Sequence, residues 1–186
     1  MFTAFLDANA LVPVALADTI LRAAEEGLFA PKWSEKVEGE AKEAIASIHP
    51  DLSPSRIESR FKAMNSAFPD ACVHGWEPLV GQIALPDADD RHVVAAAWLS
   101  RADAIVTANM ADFPEAALAG CGLHAVNPDD FLLDLLDLAP AALARIVKQQ
   151  AEDAGQPPLS SEDVMIALGR AGAGRFVTEV RKAGLA

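Results

Sequence analysis

The 186 residues include only two cysteines, Cys72 and Cys121, and no apolar run approaches the roughly 18 residues that a membrane span needs. Two thiols without metal-ligand spacing build neither a zinc site nor a disulfide framework. They read as small buried hydrophobes in a reducing, cytoplasmic setting. The apolar start, Met1 to Leu16, lacks a basic leader and is interrupted by Asp7, so a soluble, unexported protein is expected. Basic charge is scarce as well: 15 Lys and Arg against 27 Asp and Glu give a net charge of −12. That balance argues against a simple electrostatic nucleic-acid binder. No G-x-S-x-G elbow, P-loop or dinucleotide glycine fingerprint is present, which disfavours serine hydrolases, P-loop NTPases and Rossmann dehydrogenases. What the chain does have is a hydrophobic fraction of 52% with 23% charged residues, enough to bury a sizeable core.

Short apolar runs alternate with longer periodic ones. Phe2 to Leu6 reads as a strand ending at Asp7, followed by a helix from Leu11 to Ala24 with Pro13 in its first turn. Phe29 to Trp33 is an extended piece, and Ser34 caps a helix over Glu35 to Ile48. Ser53 and Pro54 open another helix, with Ile57, Phe61 and Met64 on one face. Further strands are expected at Ala71 to Val73, Asp103 to Thr107 and Leu123 to Val126, with a helix over Ala88 to Arg101 and one opened by Pro128. Strands separated by helices indicate crossover units around a parallel sheet, an α/β fold. Beyond Leu138 no strand-like run appears. Three helices are expected at about Pro140 to Ala154, Ser161 to Arg170 and Gly174 to Ala183, with a hinge at Gly155 to Pro158 and a capping box at Ser160 and Asp163. The organisation is therefore a domain over residues 1–138 and a helical C-terminal extension over 139–186.

Charge follows the same division. The first 138 residues carry 22 acidic and 9 basic side chains, the remainder 5 and 6. Most surplus acid is solvated surface, so the informative carboxylates are those directed inward. On a helical wheel centred on Asp90, Val93, Val94 and Ala97 fall within about 60° of it, which sets Asp90 in the apolar stripe. Asp87 leans towards the same side, while Asp89 is a helix-start acid. Asp7 closes the first strand, and Asp112 follows the Ile105-Val106-Thr107 strand after a short turn. Ligands of open parallel sheets bind outside the carboxyl ends of strands, so these three acids are expected to converge on one edge. A fourth acid can come from the Glu35-to-Ile48 helix, where Glu38 and Glu40 flank the apolar stripe symmetrically and periodicity does not choose between them. Clustered carboxylates repel unless a cation lies among them, and an all-oxygen set suits Mg²⁺ or Mn²⁺. His92 is expected on the solvent side of its helix, and His49, His74 and His124 have no partners at metal spacing.

Three segments, Leu6-Asp7-Ala8-Asn9-Ala10-Leu11, Pro86-Asp87-Ala88-Asp89-Asp90-Arg91-His92-Val93-Val94-Ala95-Ala96-Ala97 and Ala104-Ile105-Val106-Thr107-Ala108-Asn109-Met110-Ala111-Asp112-Phe113, resemble the PIN-domain family and in particular the VapC-like toxins of toxin–antitoxin pairs. The resemblance spans residues 1–138. It implies a three-layer α/β/α sandwich with a central parallel sheet, and a metal-dependent endoribonuclease held in check by a protein antitoxin. Carried over by position, it implies metal-ligating, catalytic carboxylates at Asp7, Asp90 and Asp112, with Asn109 as a polar neighbour and Thr107 just before it. The glutamate six residues after the capping Ser34 is Glu40, so the resemblance selects Glu40 over Glu38. It further implies Mg²⁺ or Mn²⁺ as cofactor, metal-activated water as nucleophile, products with 5′-phosphate and 3′-hydroxyl ends, an RNA substrate and a homodimer.

The alternatives are a non-catalytic PIN-like interaction domain and a DNA nuclease, since the same metal geometry cleaves either backbone. A receiver-type signalling domain would need a lysine after a late strand, which is absent. Trp33, Trp76 and Phe61 are candidate groove residues for the antitoxin, although large aromatics more often belong to a core. The extension has no assigned role. Its last seventeen residues carry Arg170, Arg175, Arg181 and Lys182 against Glu179 and could meet phosphates or an acidic partner.

Overall fold

A computed structural model describes residues 1–155 and 158–185. Of the expected hinge at Gly155 to Pro158, Gln156 and Pro157 lie outside the described residues. In chain order the elements are β1 (Thr3–Leu6), α1 (Ala8–Leu11), α2 (Val14–Glu25), β2 (Ala30–Ser34), α3 (Glu35–Ile48), α4 (Pro54–Ala67), β3 (Cys72–Val73), α5 (Arg91–Leu99), β4 (Ala104–Val106), α6 (Glu115–Leu118), β5 (His124–Val126), α7 (Pro128–Leu138), α8 (Pro140–Asp153), α9 (Ser161–Arg170) and α10 (Gly174–Lys182). Short 3-10 turns occupy Glu77–Gln82, Met110–Asp112 and Ala119–Cys121. By packing, the chain divides into two compact units: Met1–Val12 with Ala30–Val126, and Pro13–Phe29 with Asn127–Ala186. Helices α2 and α7 thus group with the helices beyond Leu138.

The first unit is built on a five-stranded parallel sheet of order β3-β2-β1-β4-β5. This is the α/β architecture with a central parallel sheet that the alternation of strands and helices predicts. β1 pairs with β2 through Phe5 and Lys32 and with β4 through Leu6 and Val106. The chain winds outward on one side of β1 and returns to its other side, so the β1–β4 junction is the topological switch point, where parallel sheets open a crevice at their carboxyl ends. Ala4, Phe5, Leu6, Ala104, Ile105 and Val106 are fully buried, the continuous apolar character typical of central parallel strands. Helix α5 packs on β1, β2 and β4.

Two helices differ from expectation for identifiable reasons. The single helix expected from Leu11 to Ala24 is broken at Pro13, whose extended ψ of 116° makes it the residue preceding α2. Proline has no N–H to continue the α1 ladder, while its carbonyl accepts the Ala17 N–H at 2.9 Å and opens α2. Helix α5 starts at Arg91 and not near Ala88, because the Asp87 carboxylate accepts the Asp89 N–H at 2.8 Å and holds the preceding residues in turns. It stops at Leu99, and Arg101 turns out with φ of +55°. Cys72 and Cys121 are half-buried rather than buried. Trp33 and Phe61 belong to the core, and Trp76 is half-buried.

Ser34 ends β2 and caps α3, its hydroxyl accepting the Val37 N–H at 3.3 Å. Ser34→Ala is expected to cost about 1 kcal/mol, read as a lower urea midpoint at unchanged m-value.

The elements of the second unit among the described residues are all helices. Thr19 on α2 donates to Gln150 Oε1 on α8 at 2.7 Å, and Gln150 Nε2 donates to the Ala15 carbonyl at 2.9 Å. The pair satisfies two buried polar groups between helices. Ser160 and Asp163 form the expected capping box of α9. The basic side chains of the tail are largely engaged: Arg175 pairs with Asp130, Arg181 with Glu162, and Lys182 with Glu179. No helix among the described residues is long and apolar enough to cross a membrane.

Candidate active site at the carboxyl edge of the sheet

Asp7 is the first residue beyond β1, and its backbone N–H extends the ladder to the Val106 carbonyl at 3.1 Å. Its carboxylate caps α1 by accepting the Ala8 N–H at 2.7 Å. Thr107, the first residue beyond β4, donates its hydroxyl to Asp7 Oδ2 at 2.8 Å. Asn9 Nδ2 donates to the same oxygen at 2.7 Å and lies 3.0 Å from Thr107 Oγ1, while Asn9 Oδ1 accepts the Ala108 N–H at 2.7 Å. The two strand ends are thereby tied through one carboxylate, only 6% exposed. Burial pushes the Asp7 carboxyl above its ordinary range, the Thr107 and Ala8 hydrogen bonds pull it back, and the nearby Glu40 charge raises it again.

Asp90 sits at the residue preceding α5, with helical backbone angles and no side-chain capping bond. Its carboxyl is pushed up to about 6, first by burial and then by repulsion from Asp7, Asp87 and Asp112, with His92 opposing. Asp112 follows β4 in the 3-10 turn, where Asn109 Nδ2 donates to its Oδ2. Asp90 thus feels the charges of both Asp7 and Asp112, the two acids that lie beyond the ends of β1 and β4.

The two glutamates of α3 separate. Glu40 Oε1 lies 2.9 Å from His92 Nε2 and 3.8 Å from Lys36 Nζ, and its charge is felt at Asp7. Glu38 turns elsewhere: its Oε1 accepts from Asn65 Nδ2 at 2.8 Å, and Asn65 Oδ1 accepts the Trp33 indole N–H at 3.0 Å. Lys42 stands 3.9 Å from Glu38 on the other side, so Glu38 is a buried structural acid.

His92 contradicts its expected solvent position. It is 2% exposed, and its ring centroid lies 5.7 Å from that of Trp76. Every residue from His92 to Ala97 is buried, so that stretch of α5 has no water-facing side. The apolar run Val93 to Trp98 carried that signal, because a helix apolar all round is a core helix. Asn9 is the other residue whose part was not assigned from sequence, although its place two residues after Asp7 was visible.

The donor set is oxygen-only and self-repelling, which fits a hard divalent cation. Among the described residues, no group of three or more His, Cys, Asp or Glu side chains is already arranged to hold a metal ion. Asp90 has no capping bond to give up in turning towards one.

Residues 3–111 match the PIN domain family, and residues 128–182, which take in α7 to α10, match the VapC50 C-terminal domain family. Over 80 residues the chain is 42% identical to a Mycobacterium tuberculosis protein named "Putative ribonuclease VapC50". That match takes in 43% of this chain and 47% of the relative, about half its length. No solved structure matches the chain.

Proposed function

The chain belongs to the PIN-domain family, and from that premise we propose that it is a divalent-metal-dependent endoribonuclease, the toxin of a type II toxin–antitoxin pair. The observation that carries the reading is the seating of Asp7 and Asp112 just beyond β1 and β4 at the switch point, near enough to Asp90 for both charges to act on it. The ribonuclease name of the relative supports RNA as the substrate.

Asp7, Glu40, Asp90 and Asp112 would hold Mg²⁺ or Mn²⁺. Bound there, the cation supplies Lewis-acid stabilisation of charge on the phosphate and acidifies attacking water. The protein's own contribution is preorganisation. Thr107 and Asn9 fix the Asp7 carboxylate, so it need not reorient during the reaction. Asn109 orients Asp112 in the same manner. No side chain serves as a covalent nucleophile: water attacks phosphorus, the bond to the 3′-oxygen breaks, and the ends are a 5′-phosphate and a 3′-hydroxyl. The antitoxin and a homodimer are the partners this reading carries with it.

Purified protein incubated with structured and unstructured RNAs is expected to cleave only with Mg²⁺ or Mn²⁺ and to leave those ends. A 2′,3′-cyclic phosphate would contradict the chemistry, and cleavage of DNA alone would make the protein a DNA nuclease. No cleavage, with no metal-induced shift in melting temperature, would support a non-catalytic interaction domain. The glutamates give an internal comparison. Glu40→Gln is expected to lower the cleavage rate at least tenfold, on the order expected for a lost electrostatic contribution to the transition state. Glu38→Gln should keep the rate and change only the unfolding midpoint.

A further inference from the structure

We infer that His92 is the positioning residue of Glu40, holding that carboxylate at the acidic edge of the sheet. The inference rests on the metal-dependent reading given above. Glu40 is weakly held by its own helix: its side chain is 38% exposed on α3, and α3 offers it only Lys36, 3.8 Å away and itself 46% exposed. A long exposed lysine at that distance does not fix a carboxylate. His92 differs on each count. Its ring is buried beside Trp76, carried on α5 at the centre of the sheet, and its Nε2 stands 2.9 Å from Glu40 Oε1. A ring nitrogen that close to a carboxylate oxygen must carry its proton, since a lone pair there would be repelled. The other ring nitrogen, Nδ1, is buried without a hydrogen-bond partner among the described residues, and the ring's polar contact there is Glu40. Burying an imidazole with one nitrogen unsatisfied is costly, and core packing alone would be served better by an apolar ring.

The test is Mn²⁺ calorimetry on the intact chain and on His92→Phe, His92→Gln, Glu40→Gln and the Phe/Gln double variant. His92→Phe keeps a flat ring beside Trp76 but has no N–H, and it should weaken Mn²⁺ binding about tenfold or more, the range seen when outer partners of metal ligands are lost. His92→Gln restores an N–H donor and should recover most of the affinity. In the Glu40→Gln background, His92→Phe should add no further loss of affinity. Wild-type affinity in folded His92→Phe, whatever its melting temperature, would overturn the inference and leave the nuclease reading standing. A wild-type chain that binds no Mn²⁺ would overturn both. Should His92→Phe not fold, ¹H–¹⁵N spectra of the wild type decide: an exchange-protected His92 Nε2–H resonance that Glu40→Gln shifts supports the contact, and its absence overturns it.

Discussion

Asp90→Asn is expected to lower RNA cleavage on the order of a hundred- to a thousandfold while raising the melting temperature of the metal-free protein at pH 8. Both effects have one origin. The Asp90 carboxyl is pushed to about 6 by burial and by Asp7, Asp87 and Asp112, so the fold opposes its ionisation. In an unfolded chain an aspartate titrates near about 3.9. A carboxyl whose folded value is raised contributes stability that is fully present below the unfolded value and is lost as the pH climbs through the folded one. Asp7 is shifted in the same direction. In EDTA, the melting temperature of Asp90→Asn relative to wild type should therefore rise between about pH 4 and pH 6 and level off above that. Added Mn²⁺ should reverse the order at pH 8, because a ligand bound to the folded state alone stabilises the protein that binds it. Thermal melts with and without Mn²⁺ check this. A variant less stable than wild type in EDTA at pH 8 would mean that the Asp90 charge is not a burden on the apo fold.

The largest loss of stability from a single polar truncation is expected at Asp129. Helix α10 begins after Ala173, which has no side-chain acceptor for the exposed N–H groups of the first turn. Asp129, from the start of α7, supplies it: Oδ1 accepts the Phe176 N–H at 2.8 Å and Oδ2 accepts the Arg175 N–H at 3.0 Å. Both Asp129 and Phe176 are buried. Asp129→Ala removes two charge-assisted bonds and leaves the Phe176 amide unsatisfied, a loss of about 2 to 4 kcal/mol. The neighbouring Asp130 pairs with Arg175 at the surface, and Asp130→Ala should cost under about 1 kcal/mol. Urea unfolding of the two variants side by side tests the contrast. Equal small losses would show that α10 is held by its apolar face, Phe176, Val177 and Val180, with Asp129 incidental.

The parts of this molecule legible in its sequence are those governed by local rules. The strand Thr3–Leu6 ending at Asp7, the Ser34 cap of α3, the capping box of α9 and the parallel sheet all follow from residue spacing. The placement of Asp7 and Asp112 at strand ends follows as well. Asp90 illustrates a limit: the wheel treats it as a residue inside a helix, whereas it precedes α5, displaced by the turn that Asp87 closes. Its half-buried place owes as much to that turn as to the helical period. The choice between Glu38 and Glu40 could not be made within α3, since it is made by Asn65 on α4 and His92 on α5. A single periodic stripe sets His92 towards solvent, whereas every residue from His92 to Ala97 is buried. Asp129 resembled an ordinary helix-start acid, and its partners lie 46 and 47 residues away in sequence.

The most direct test of the central claim, that the carboxylates at the β1–β4 switch point form a divalent-metal centre, is anomalous diffraction from crystals grown with Mn²⁺. The expected result is a peak among the carboxylates of Asp7, Glu40, Asp90 and Asp112 that disappears in Asp90→Asn crystals. A well-ordered carboxyl edge without a peak at saturating Mn²⁺, or a peak only at surface acids such as Asp134 and Asp137, would contradict the account.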